Sequence, residues 1–481
     1  MTISHLTDFH DRISPMLVKE LRQGLRAKTF IAVFLSLQAF LGIMLLSASA
    51  SSTSSHAGGV VSSMIFTFFA IAVLLVQPLR GVTALSSEIK GNTIDMMVLT
   101  RLSAWRIVFG KWVAIVSQSA LILSTIIPYL ILRYFFGGMN LVGEIVLLAM
   151  LFLTSMALTA VTVGLSGSSS VIIRGIIPLF GTPMLLIGVI GVLFDNGGRE
   201  ITEICSLDTR DSWIAVSIYV LCILYLGGSA LSLGASLIAP AAENHSTLRR
   251  LIALGAVVLM IPVTRYSTLN EYLLWGLIGI IATPAILIAL TESTLLVPTV
   301  CQPFVKRGSL GKAAGIVLYP GLASGIFFTV LLIGVALVAS SLHPTASYDL
   351  EACAVALSCL GTLLLPAVLQ VFFFRGEGQR VANYLLLMIG SGVLTGILAA
   401  LTEAMSNRDF LWLFIWNPLV ITVMTDSSHF NDTDLFFAAI AMDSIMITIL
   451  LVSAFSMQKA NREVIRSAEN DFPNPVTPPA A

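Results

Sequence analysis

The stretch GIVLYPGLASGIFFTVLLIGVALVASSL, running from Gly315 to Leu342, contains no charged residue. About 20 apolar residues suffice for a helix to cross a bilayer, whereas a barrel strand alternates apolar and polar positions over about ten. In hydrocarbon each span must satisfy its own backbone hydrogen bonds, so an uninterrupted apolar run is read as a helix. Six further runs precede this one in the first half, near 30–49, 60–85, 108–132, 141–166, 171–194 and 213–239. Five more complete the second half, near 248–265, 271–291, 350–374, 382–405 and 436–457. The expected fold is all-α, a polytopic membrane helix bundle of about 12 transmembrane helices.

Composition agrees. The 481 residues are 57% hydrophobic and 11% charged, far from the roughly half apolar, quarter charged make-up of soluble domains. The formal net charge of zero argues against a nucleic-acid partner, which calls for a basic excess to neutralise phosphates. The five cysteines include no CxxC pair, so neither a disulfide framework nor a cysteine metal site is expected.

An even number of spans puts both termini on one side. With both in the cytoplasm, 21 of the 26 Lys and Arg fall on that side; only Arg133, Arg199, Arg210, Arg265 and Arg408 face out, the bias expected of a correctly threaded chain. The first apolar run is longer than a signal-peptide core and follows nearly thirty residues of polar chain, so it reads as an uncleaved span.

Two segments carry functional information. Between Pro15 and Lys28, Leu17, Leu21 and Leu25 recur every four residues with charges between them. This is the pattern of an interfacial amphipathic helix with its leucines towards the acyl boundary and Lys19, Arg22, Arg26 and Lys28 near lipid phosphates; an ordinary basic flank that only sets orientation has the same periodicity. The second segment runs from Glu88 to Lys111. In it Ile94, Met97 and Val98 share a helical face, and Thr93, Thr100 and Ser103 suit caps or breaks, the signature of a helical hairpin beneath the membrane.

These segments together resemble the ABC-type-2 transporter permease family. The resemblance lies in Lys19-Glu20-Leu21-Arg22, in the spacing of Glu88, Gly91 and Thr93, in Leu99-Thr100-Arg101-Leu102-Ser103, and in Ile107-Val108-Phe109-Gly110-Lys111. Arg101 stands where the family usually has proline, and the match covers about the first 130 residues. The resemblance implies an elbow helix over 15–28, with Lys19, Glu20, Arg22 and Arg26 as its charged residues. It also implies a coupling region over 86–105 that docks on a separate ATP-binding subunit, with Glu88, Gly91, Thr93, Arg101 and Arg106 as coupling residues. ATP and Mg would be held by that partner, and this chain would carry no cofactor or catalytic residue of its own. Export and a multi-pass position in a bacterial inner membrane follow from the resemblance alone.

The expected organisation is a cytoplasmic N-terminus (1–29), a first six-helix unit (30–240), a second six-helix unit (241–458) and a disordered cytoplasmic tail (459–481). Family members commonly have six spans, so the second six are either an appended domain or a diverged copy that makes one chain a pseudo-dimer; a single six-helix family unit would homodimerise. Glu292 and Gly311-Lys312 echo Glu88 and Gly110-Lys111, although no amphipathic helix precedes the seventh span. The aromatic run from Phe410 to Ile421 is too short to span and is broken at Asn417-Pro418, so a re-entrant or surface segment is expected over 410–425.

No Walker A loop is present: Lys111 and Lys312 are followed by Trp112 and Ala313 rather than Ser or Thr. The GxxxG matches at Gly321–Gly325 and Gly392–Gly396 are expected to serve packing within the bundle. Gln118, Gln370 and Asp443 are candidates for a translocation path; for Asp443 a snorkelling or neighbour-bonded carboxylate is an equal alternative. The histidines form no HExxH, and no metal site is expected. The reading is a permease subunit powered by a separate ATPase. Its alternatives are an ion- or proton-coupled secondary transporter, which should bury ionisable pairs, and a membrane scaffold without transport.

Overall fold

The computed structural model describes residues 15–50, 57–91, 103–134, 140–168, 170–194, 199–239, 243–266, 271–292, 294, 296–342, 349–373, 380–404, 408–427 and 429–470. Among these residues there is no strand, and twelve helices are long and apolar enough to cross a membrane. The protein is an all-α, multi-pass membrane protein. In chain order the spans are Lys28–Ser47, Ser62–Lys90, Ala104–Leu132, Leu141–Leu165, Ile172–Leu193 and Arg210–Ile238, then Ser246–Arg265, Leu274–Thr291, Leu322–Ser341, Leu350–Phe373, Arg380–Thr402 and Asp432–Lys459. They are called spans 1 to 12 below.

The chain divides into two compact units, Met1–Ala239 and Pro240–Ala481, of six spans each. Internally the units share a pattern of neighbours. Span 4 packs most extensively on span 6, as span 10 does on span 12; the first three spans of each unit pack on one another, and the third packs on the sixth. A short helix precedes the last span of each unit and leans on the fourth: Arg199–Cys205 on span 4, and Leu419–Thr425 on span 10.

The seams differ in chemistry. Span 4 meets span 6 through small residues. A Cβ on Gly164 would collide with the Ala230 carbonyl, and one on Gly234 would lie 2.7 Å from the Gly164 Cα, so the backbones touch where only glycine fits. Span 2 contains a π-helical turn at Ile71–Val76, and Ser155 of span 4 donates to the Val73 carbonyl at 2.6 Å. A side-chain hydroxyl thus supplies a donor where the turn departs from the regular ladder.

Three expectations need correction. The stretch 315–342 is not one helix: Gly308–Leu318 ends at Tyr319, and span 9 starts at Leu322. Pro320 has no N–H to continue the ladder, and Gly321 takes φ +108°, a conformation that favours glycine. The segment 459–481 does not begin as a disordered tail either. The span 12 helix continues to Asn470 and buries Ala468 against Cys301, Phe304 and Tyr319, an apolar contact that rewards the extra turns; 471–481 lie outside the described residues. Finally, Gly325 packs closely, its Cβ position overlapping the Ala289 carbonyl of span 8, but Gly392 and Gly396 face open space on span 11, one of the least buried spans.

Candidate functional site

The Pro15–Leu25 helix packs on span 3, with Leu17, Glu20, Leu21 and Gly24 turned inwards and Lys19, Arg22 and Arg26 exposed. The leucine stripe therefore serves protein packing in part: Leu17 and Leu21 are half-buried, and Leu25 is exposed. Glu20 shares their face because it has a partner there. The Lys111 ammonium, on span 3, lies 2.9 Å from Glu20 Oε1 and 3.2 Å from Glu88 Oε1. Lys111 is 4% exposed, and a buried ammonium of that kind persists only with compensating charge. The triad fastens the N-terminal helix, the end of span 2 and the start of span 3 together.

A second tie runs beside it. Arg80 of span 2 donates to the Gln118 side-chain oxygen, to Gln77 Oε1 at 3.3 Å and to the Gly24 carbonyl at 3.4 Å. A Cβ on residue 24 would overlap the Gln118 amide, so Gly24 lets the N-terminal helix approach span 3. Gln118, 1% exposed, is thereby engaged with Arg80 and the Ala114 carbonyl.

Of the other coupling candidates, Gly91 is exposed and closes the Ser86–Lys90 helix by donating to the Ser87 carbonyl at 3.1 Å. Arg106 is exposed on the first turn of span 3. Thr93 and Arg101, with most of the stretch expected to form the hairpin, lie outside the described residues.

In the second unit the corresponding position, just past the end of span 8, belongs to Glu292. Its carboxylate lies 2.5 Å from Arg250 and 3.3 Å from Arg249 and accepts from Ser246. Arg250 also donates to the Val317 and Tyr319 carbonyls, both at 2.7 Å, and to the Gly321 carbonyl at 3.3 Å. These oxygens belong to the break at Pro320, so the guanidinium occupies the place of the interrupted helical ladder. Gly311-Lys312 does not repeat Gly110-Lys111: it lies on the Gly308–Leu318 helix, before span 9, and Lys312 is exposed. The sequence reading passed over Lys111, Arg80, Arg249 and Arg250 as site residues. Their common signal was a basic side chain within or beside an apolar run.

The remaining path candidates lie at different depths of the second unit, Gln370 near the end of span 10 and Asp443 beside Gly361 at its middle. Gln370 donates to the Arg380 carbonyl at 2.6 Å, and both residues line a hollow of about 370 Å³ with Ser453 and Ser456. Asp443 is 5% exposed on the seam between spans 10 and 12. A Cβ at Gly361 would lie 2.6 Å from Asp443 Oδ1 and 2.8 Å from Pro418. Ser358 donates to the Pro418 carbonyl at 2.6 Å, and Asn417 donates to the Ser391 carbonyl and the Thr395 hydroxyl, both at 3.0 Å. Ser358 is the ninth residue of its helix, so the Asn417–Pro418 turn reaches about 12 Å along span 10 at 1.5 Å per residue. Among the described residues no hydrogen-bond partner meets Asp443 Oδ2 or Asn417 Oδ1, and no group of three or more His, Cys, Asp or Glu could hold a metal ion. No protein-family model, curated protein or solved structure matches this chain.

Proposed function

We propose that this chain is the membrane-spanning permease subunit of an ATP-driven transporter, with both termini in the cytoplasm of a bacterial cell and hydrolysis carried out by a separate ATP-binding subunit that holds ATP and Mg. The observation that carries the reading is the convergence of Glu20, Glu88 and Lys111. These residues come from three separate motifs, and their ion pairs link the N-terminal helix to both spans that flank residues 92–102. A force applied to that segment by a docked motor would pass through a charged junction around the buried Lys111 rather than a slack connection. Export is the direction the family resemblance favours. The matching neighbour pattern of the two units favours a pseudo-dimer, in which one chain engages two ATPase subunits.

The test is purification from the native membrane in mild detergent, with identification of co-purifying proteins and an ATPase assay. A stoichiometric Walker-motif ATPase is expected, and Glu88→Lys should uncouple its activity from transport while the chain still inserts. A chain that repeatedly purifies alone and without ATPase activity overturns the reading. Asp443, buried without a basic partner among the described residues, favours the second reading of an ion-coupled secondary transporter. That reading requires transport by vesicles holding this chain alone, driven by an ion gradient.

A further inference from the structure

Spans 8, 9, 10 and 12 form a closed ring, with 8 packed on 9, 9 on 12, 12 on 10 and 10 on 8. Across the ring, spans 9 and 10 make no extensive contact, whereas their counterparts in the first unit, spans 3 and 4, pack directly. The space is a cleft of about 600 Å³ that opens to the surface, since Gly279, Leu337 and Cys359 of its lining are exposed. Ile286, Ile333 and Leu363 lie at its deep end, and Ser340, Ser341 and Cys353 lie where spans 9 and 10 meet their loops. From Ser341 down to Ile333 is about 12 Å at 1.5 Å per residue.

Among the described residues no charged side chain lines the cleft, and its walls are mostly aliphatic, with Ile278, Ala282, Leu357 and Leu360 among them. Apolar cavities of about 150 Å³ already stay dry and take up hydrocarbon. At about 30 Å³ per water-sized group, this cleft holds on the order of 20 heavy atoms, the size of one fatty-acyl chain. Its polar rim lies at the ends of membrane-spanning helices, the depth at which lipid headgroups sit. We propose that the cleft holds one acyl chain of a membrane phospholipid, whose headgroup rests at the Ser340–Ser341–Cys353 rim. The site stands whether or not the chain works with an ATPase.

The experiment uses the full-length protein in vesicles containing a phosphatidylcholine with a diazirine near the end of one acyl chain. Irradiation should concentrate adducts on 275–286 and 353–363. A Cβ on Gly279 would meet nothing within 4 Å, so Gly279→Phe adds a ring to the cleft with little disturbance and should lower that labelling at least tenfold. Ala336→Phe, from span 9, should do the same. Gly334 is also open but outside the lining, and Gly334→Phe should leave labelling unchanged. Adducts spread evenly over the exposed faces of all twelve spans overturn the proposal. So does undiminished labelling in well-inserted Gly279→Phe or Ala336→Phe. If neither variant inserts, the adduct map of the native protein decides.

Discussion

At the end of its second span the first unit holds one lysine between two glutamates, and the second unit holds one glutamate between two arginines. The position in the unit is the same and the sign is reversed. What the two clusters share is mechanical: each joins segments distant in sequence where the chain leaves a span. They differ in depth. Glu20 and Glu88 keep 20% and 17% of their side chains exposed, whereas Glu292 and Arg250 keep 4% and 2%. The first cluster can be relieved by water when a charge is lost, and the second cannot. A parallel contrast runs along the main seams, glycine against backbone between spans 4 and 6, and a buried carboxylate beside Gly361 between spans 10 and 12.

The largest effect should come from Glu292→Leu, which removes the carboxylate that two buried guanidinium groups share and should cost about 3–5 kcal/mol, read as denaturant unfolding of the purified protein. Gly164→Val drives a side chain into the Ala230 carbonyl and should cost about 1–3 kcal/mol; a neutral result would mean that the span 4–6 seam is looser than its geometry. Lys111→Met should cost under about 2 kcal/mol because both glutamates reach solvent. If it matches Glu292→Leu in the same assay, the difference in depth between the clusters does not govern their energetics. Asp443→Asn keeps the shape of a side chain that has no ionic partner among the described residues, so stability should change by less than about 1 kcal/mol in either direction. A large loss there would reveal an ion held by the carboxylate.

The smallest effect concerns two thiols outside the spans, one in each unit. Burial pushes both Cys205 and Cys301 up to about 11. At pH 8 only about one thiol in a thousand is then ionised, against about one in four for an ordinary cysteine. Maleimide should leave both unmodified in the folded protein and react faster as pH rises towards 11. Rapid labelling of only one would show that its unit opens locally.

The twelve spans were legible because each is an apolar run of sufficient length, and length is what a bilayer selects. The break in 315–342 was visible as Pro320-Gly321, yet hydropathy averages over it; the fold tolerates the break because Arg250, some 70 residues earlier, donates to the exposed carbonyls. Glu20, Glu88 and Lys111 each stood in a motif, but Lys111 was not read as a site residue, since nothing local shows that one ammonium answers both glutamates. Asp443 was conspicuous in an apolar run, but the proximity of Gly361 and Pro418 was not.

The sequence by itself therefore determined the class, the span count and the polar positions that had to find partners, because insertion into hydrocarbon depends on composition and length along the chain. Only the tertiary structure decided which charges answer one another, which glycines bring backbones into contact, and where a ring of four spans leaves room for a ligand. Those outcomes depend on packing between helices far apart in sequence, where a shift of an ångström separates an ion pair from a stranded charge and a filled seam from a cleft.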